Sequence, residues 1–360
     1  MLDIDHDSNP AAELVDHYIE PIRDFLEDEA TQDVAVNDPG FVWVRQRGTW
    51  IQHKVPRLDL FWLENLAHAA GSLRRQNVGT EDPILDTEIV EGQYRYNVVL
   101  FPNVGLGKIA NTIRRHEAEV APIEAMPDRY DTQGWNQLQL GRVEPVRQHL
   151  LELYQQEGSP AQIVTFLKAC VRARQTILII GPTGAGKTTL LNTLAREIPP
   201  HKRIVTLEDA KEIKLPLHPN SVQLLFARGA GGKDRINPEQ LANTILRMHP
   251  DIAIMGELRG NEAWVFVNDI IPPHPGSLVT THGNSADSGF MRVFGLCRGN
   301  RATAAMNDQT LMRMIANVID VIAPLYEDED TKRFKFRPIW YVGEAMMNRG
   351  KNATELFWET

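Results

Sequence analysis

Residues Gly181 to Thr188 read GPTGAGKT, which satisfies the G-x-x-x-x-G-K-[ST] spacing at every fixed position. Glycines in that pattern let successive backbone N–H groups converge on phosphate oxygens at a helix amino terminus, where the helix dipole also favours negative charge. Lys187 then reaches β- and γ-phosphates, Thr188 offers a hydroxyl to a metal ion, and Gly181, Thr183, Gly184, Ala185, Gly186 and Thr189 complete the cradle. The chemistry implied is transfer of the terminal phosphoryl group of a nucleoside triphosphate. Such chemistry also needs carboxylates near the metal and the attacking water, and cationic donors for the charge spread over the transferred group. Two short apolar runs end in acids: Ile204 to Leu207 runs into Glu208-Asp209, and Ile252 to Met255 into Gly256-Glu257. Glu208 is the first choice for orienting or activating water, and Glu257 for holding the metal-bound or attacking water. A third run ends in Thr280-Thr281-His282, where His282 could sense the γ-phosphate.

These groups need a scaffold that brings several strand ends to one edge. From residue 160 short buried strands alternate with amphipathic helices, which predicts an α/β domain with a mainly parallel sheet. The strands expected are Ile177 to Ile180, Ile204 to Leu207, Val222 to Phe226, Ile252 to Met255 and Ser277 to Thr281. The phosphate motif directly follows the first and opens a helix through Leu190, Leu191 and Leu194. Open α/β sheets bind ligands at the carboxyl ends of their strands, where every candidate group falls. Asn237-Pro238 starts a helix carrying Leu241, Ile245 and Met248 on one face. A glycine-rich loop spans Arg228 to Lys233, and an acidic turn, Glu327 to Asp330, belongs to a late hairpin.

The preceding residues have a different texture. Asn9 and Pro10 form a helix start, Leu14, Tyr18, Ile22 and Leu26 recur every four residues as an apolar stripe, and Pro21 kinks the helix. Val34 and Val36, Phe41 to Val44 and Thr49 to Val55, joined by NDPG and QRG turns, predict an antiparallel meander. Leu60, Leu63, Leu66, Ala67 and Ala70 keep a helical period, and Glu88 to Leu100 predicts a hairpin turning at Glu91-Gly92. The expected organisation is a smaller α+β domain over 1–115, a linker over 116–157 with one helix near Gln148 to Gln156, and the α/β domain over 158–360.

The 360 residues are 42% hydrophobic and 24% charged, an ordinary globular balance. Net charge is −9, unevenly spread: residues 1–40 hold Arg23 against twelve Asp or Glu, leaving the rest slightly positive. Such a segment repels polyanions and anionic lipid, so strong direct nucleic-acid binding is not expected. No apolar run approaches the ~18 residues of a membrane helix, and MLDIDHDSNP has acids where a secretion signal needs basic residues. A cytoplasmic protein is expected. Cys170 and Cys297 lie far apart, too few for a disulfide framework or a four-cysteine zinc site.

Taken in order, GPTGAGKTTLLNTL, TLEDAKEIKL, LRMHPDIAIMGELRGNEA and HPGSLVTTHGNSA resemble the secretion ATPase superfamily. They look most like its ring-forming traffic ATPases of type IV secretion and conjugative transfer. VAVNDPGFVWV followed by GTW, and YRYNVVLFPNVGLGKIANTIRR, resemble that branch's amino-terminal domain. The resemblance implies a RecA-like P-loop ATPase domain, a homo-hexamer, ATP and Mg²⁺ held between the two domains, and a role in powering substrate translocation or pilus assembly. It further implies other secretion-system ATPases and inner-membrane components as partners, with peripheral attachment to the inner membrane. In family terms Gly181, Gly184, Gly186, Lys187 and Thr188 match the phosphate loop, Glu208 and Asp209 the aspartate box, Glu257 the variant metal-site acid, and His282 the histidine box. Arginines on strands of the first domain reach the triphosphate in such proteins. Arg95 and Arg114 occupy the matching positions, Arg115 is a substitute for Arg114, and Arg247 and Arg259 are second-line candidates for phosphate or subunit contacts. Gly283 stands where the family usually has alanine, and IIPPHPG replaces a more polar approach to the histidine. The alternatives are a pilus retraction or type II secretion motor, whose secretion members commonly carry a four-cysteine zinc element that two cysteines cannot supply, and a nucleic-acid helicase or packaging motor. The latter should show a basic groove with interleaved aromatics, and no such cluster is evident.

Overall fold

The computed structural model describes residues 9–116, 145–156, 159–226 and 236–342. The glycine-rich stretch from Arg228 to Lys233 and most of the expected linker lie outside the described residues.

Helix α1 (Pro10–Ile19) starts as its sequence predicts: the Asn9 side chain accepts the Ala11 N–H at 3.1 Å, and Pro10 fills the first turn. Pro21 then forces a 3₁₀ turn over Glu20–Ile22 before α2 (Arg23–Glu27). The buried stripe is Val15, Ile19, Ile22 and Leu26, while Leu14 is 49% exposed, which corrects the every-fourth-residue stripe. Steps of four drift by about 40° each around a helix of 3.6 residues per turn, whereas a 4-3-4 spacing keeps one face inward.

Strands β1 (Thr31–Val36), β2 (Phe41–Gln46), β3 (Thr49–Lys54), β4 (Ile84–Ile89), β5 (Tyr94–Val99) and β6 (Ala110–Arg115) form an antiparallel sheet in the order β3-β2-β1-β6-β5-β4. Helix α3 (Leu60–Leu73), capped by Asp59 on the Trp62 N–H at 2.7 Å, joins α1 on this first core and buries Leu63, Leu66, Ala67 and Ala70.

The second core begins with α4 (Pro145–Gln155), the helix expected near Gln148 to Gln156. Leu150 and Leu151 are buried in that core, and Tyr154 donates its hydroxyl to the Ile339 carbonyl at 2.7 Å. After α5 (Pro160–Arg172) come β7 (Ile177–Ile180), α6 (Lys187–Ala195), β8 (Ile204–Glu208), β9 (Ser221–Leu225), α7 (Pro238–Ile245), β10 (Ile252–Met255), α8 (Glu262–Val265), β11 (Leu278–Thr281), α9 (Ala286–Arg298), α10 (Asp308–Ala316), β12 (Val321–Glu327), β13 (Phe334–Phe336) and β14 (Trp340–Tyr341). The sheet order is β13-β12-β7-β11-β10-β8-β9; β13 and β14 run antiparallel to β12 and the other pairs are parallel. Strands β7, β8 and β10 are buried along their whole length, as parallel strands covered on both faces must be. β12 pairs in parallel with the phosphate-loop strand, although the sequence shows it only as one arm of a hairpin; its Pro324 weakens the strand signal.

The two sheets meet along β9. Its carboxyl end is closed by Asn103, whose carbonyl accepts the Leu225 N–H at 2.8 Å and whose side chain donates to the Leu225 carbonyl at 2.7 Å. That contact closes the carboxyl end of an edge strand. At the amino ends of β8 and β9, the fully buried Arg203 donates to Asn37 Oδ1 at 2.9 Å and Asn220 Oδ1 at 2.6 Å, and lies 5.1 Å over the Trp50 ring.

Candidate active site

The phosphate loop runs from the carboxyl end of β7 into α6. Gly184 and Gly186 take left-handed φ angles of 83° and 81°, which only glycine adopts without strain. The resulting turn lines a cavity of about 380 Å³ with Thr183 through Thr189, within the usual size range of small-molecule sites. Lys187 is 9% exposed, and its Nζ donates to the carbonyls of Gly181 at 2.9 Å and Pro182 at 3.0 Å. Burial pulls the Lys187 ammonium down from its ordinary pKa against the attraction of Glu257, with the Arg259 charge adding to the downward shift.

Strand ends β8, β10 and β11 bring the other groups to the same edge. His282 lies with Nδ1 3.4 Å from Lys187 Nζ and Nε2 2.7 Å from Glu257 Oε1. Arg259 donates to Glu257 Oε2 at 2.6 Å and to Asp209 Oδ2 at 2.9 Å. Lys187, His282, Glu257, Arg259 and Asp209 therefore form a continuous polar chain along the cavity wall. Burial pushes the Glu257 carboxyl up, but the Arg259 hydrogen bond, with the charges of His282, Arg259 and Lys187, outweighs it and holds the pKa below the ordinary 4.5. Glu262 fixes the turn that carries Arg259 by accepting the N–H groups of Arg259 and Gly260, each at 3.0 Å.

Glu208 also lines the cavity and is closely held. Its Oε1 accepts from Thr206 Oγ1 at 2.7 Å and Gln223 Nε2 at 3.3 Å, and its Oε2 accepts the N–H groups of Glu212 and Ile213 at 2.8 Å each. Four donors surround the carboxylate, and through two of them Glu208 ties down the following turn. Burial raises its pKa despite these bonds. The turn it holds presents Glu212, whose Oε2 accepts from Thr188 Oγ1 at 3.1 Å. Thr188, Glu212 and Glu257 all line this cavity.

Comparison with known proteins bears on what this arrangement serves. The family described as Type II/IV secretion system protein matches residues 122–327. The VirB11 protein of Rhizobium radiobacter is 36% identical over 94% of this chain and 96% of its own. The PtlH type IV secretion protein of Bordetella pertussis is 31% identical over 86% of this chain and 89% of its own. The chain belongs to the VirB11 branch of the type II/IV secretion family. The fold agrees: the crystal structure of the Brucella suis VirB11 ATPase in complex with sulphate superposes with a TM-score of 0.86 at 28% identity, covering 96% of this chain and 98% of that one.

Within this VirB11-type chain Thr183 to Thr189, Glu208, Asp209, Glu257 and His282, all singled out from the sequence, line one cavity. Gly181 contributes its carbonyl to Lys187 rather than a wall of the cavity. Arg95 and Arg114 are not brought there. They face each other in register across β5 and β6, and Arg114 also pairs with Asp33 on β1. Asp33 in turn lies 3.1 Å from His249, just ahead of the amino end of β10. The phosphate loop occupies the carboxyl edge, so a strand length separates these arginines from their own chain's cavity. Arg115 donates to the Asp28 carbonyl at 3.1 Å, and Arg247 pairs with Asp86 of the first sheet at 3.1 Å. Of the second-line arginines, Arg259 is the one at the cavity. Glu212 and Phe334, which also line it, were not singled out from the sequence.

Proposed function

We propose that this chain hydrolyses ATP, with magnesium, in the cavity before Lys187, and that it does so as a homo-hexameric ring powering substrate translocation or pilus assembly in type IV secretion. The observation carrying this is the unbroken chain Lys187–His282–Glu257–Arg259–Asp209 beside a phosphate loop whose Gly184 and Gly186 take left-handed φ angles. Backbone N–H groups of residues 184–189 would cradle the phosphates, and Lys187 and Arg259 would face the charge spread over the equatorial oxygens of the loose transition state. Glu257 has one lone pair left on each oxygen beyond its Arg259 and His282 contacts, so it can accept from and orient the attacking water. His282 links that carboxylate to Lys187, placing it to register an occupied γ-phosphate position. Thr188 and Glu257 would hold the magnesium ion, which supplies charge neutralisation at the phosphates.

Arg95 and Arg114 act, in this reading, on a triphosphate bound by a neighbouring chain, because their own cavity is out of reach. The chain divides into a first domain over 1–115, a connection over 116–157 and a motor domain over 158–360, with α4 resting on the motor domain. Partners would be other secretion-system ATPases and inner-membrane components, and the ring would work from the cytoplasmic side, attached peripherally. No helix among the described residues is long and apolar enough to cross a membrane. Light scattering with Mg²⁺ and a non-hydrolysable ATP analogue tests the assembly: a particle of six chains is expected, and a nucleotide-bound monomer would overturn the ring.

A further inference from the structure

Phe334 is a half-exposed aromatic side chain, 52% accessible, on the wall of the phosphate cavity. Among the described residues that line it, Phe334 is the sole Phe, Tyr or Trp, in a wall otherwise dominated by glycine, threonine and charged groups. Its ring rests on the last glycine of the phosphate loop: a Cβ added to Gly186 would fall 2.7 to 2.9 Å from three of its atoms. The ring is held there by a fixed hairpin. Phe334 pairs with Glu327, and at the turn Asp328 accepts from the Thr331 N–H at 2.9 Å, the Thr331 hydroxyl at 2.6 Å and Lys335 Nζ at 2.5 Å. None of the phosphate or water chemistry uses an apolar face at this place. A nucleotide does have a part that needs one, since nucleobases stack on aromatic rings with little regard to their hydrogen-bonding edges.

We propose that Phe334 is the stacking platform for the base of the bound nucleotide, a specificity-determining residue that sets affinity for a nucleotide over bare polyphosphate. This rests on the reading of the cavity as a nucleotide site. The test is titration calorimetry on the full chain with Mg·ADP and, separately, with magnesium tripolyphosphate, for wild type, Phe334→Ala and Phe334→Tyr. Phe334→Ala is expected to bind ADP about tenfold more weakly, the scale of one lost base–aromatic stack. Phe334→Tyr should keep wild-type ADP affinity, and all three proteins should bind tripolyphosphate equally. Unchanged ADP binding by Phe334→Ala would overturn the proposal, as would an equal loss for both ligands, which would make the ring a support for the phosphate loop. Wild-type protein that binds neither ligand would overturn the nucleotide site itself along with it.

Discussion

Glu257 is the side chain on which the site's charges converge, with Arg259 on one oxygen and His282 on the other. Its carboxyl is held below 4.5, so the stability it contributes is fully present above that pH and is lost as pH falls through its lower folded-state value. Denaturant midpoints of wild type and Glu257→Gln are therefore expected to differ near neutral pH and to converge as pH drops well below 4.5; a gap that persists unchanged into acid would contradict the ion-pair account. At this scale much of the site was legible. The glycine and lysine spacing of residues 181–188 and the acids and histidine at apolar run ends specify chemistry by type and place. Glu212 was hidden because its position depends on a turn that Glu208 ties down with two backbone N–H bonds. Phe334 was hidden because nothing local to it announces that its hairpin folds back onto Gly186. The four donors around Glu208 were not legible, since sequence shows that a carboxylate stands at a strand end, not what already surrounds it.

At the scale of elements, α9 packs against the end of β7 more closely than side chains allow. A Cβ at Gly289 would lie 2.6 Å from Ile180 Cδ1, and one at Gly283 would lie 3.0 Å from both the Cα and N of Gly289. The glycine that departs from the family's usual alanine is thus matched by a second glycine across the contact, and together they bring the strand end bearing His282 against the helix start. Gly289→Ala should cost about 1–3 kcal/mol through overpacking, read as a lower thermal midpoint; an unchanged midpoint would show that the helix shifts freely. The strands ending in Glu208 and Glu257 were legible because parallel strands buried on both faces read as unbroken apolar runs. The stripe on α1 was not, because steps of four drift around a helix of 3.6 residues per turn whereas a 4-3-4 spacing stays on one face.

At the scale of the molecule, Arg203 joins the two sheets. Its guanidinium is buried, is pulled down to about 10 by that burial, and reaches Asn37 of the first sheet and Asn220 of the second. Arg203→Ala would leave these buried partners short of a donor and open a cavity under Trp50, so a loss of about 3 kcal/mol is expected in urea unfolding. A wild-type midpoint would mean the sheets are held by other contacts. This docking was not legible, because apolar periodicity orients faces within a domain but does not say which ends of two sheets meet. The same arrangement leaves Arg95 and Arg114 outside the lining of their own phosphate cavity. The central claim is that the cavity before Lys187 turns over ATP, and the most direct measurement is the steady-state rate of Mg·ATP hydrolysis by wild type and Lys187→Ala at matched folded content. Clear turnover by wild type and a loss of about 100-fold or more in the variant is the predicted result; equal rates in the two proteins would contradict it.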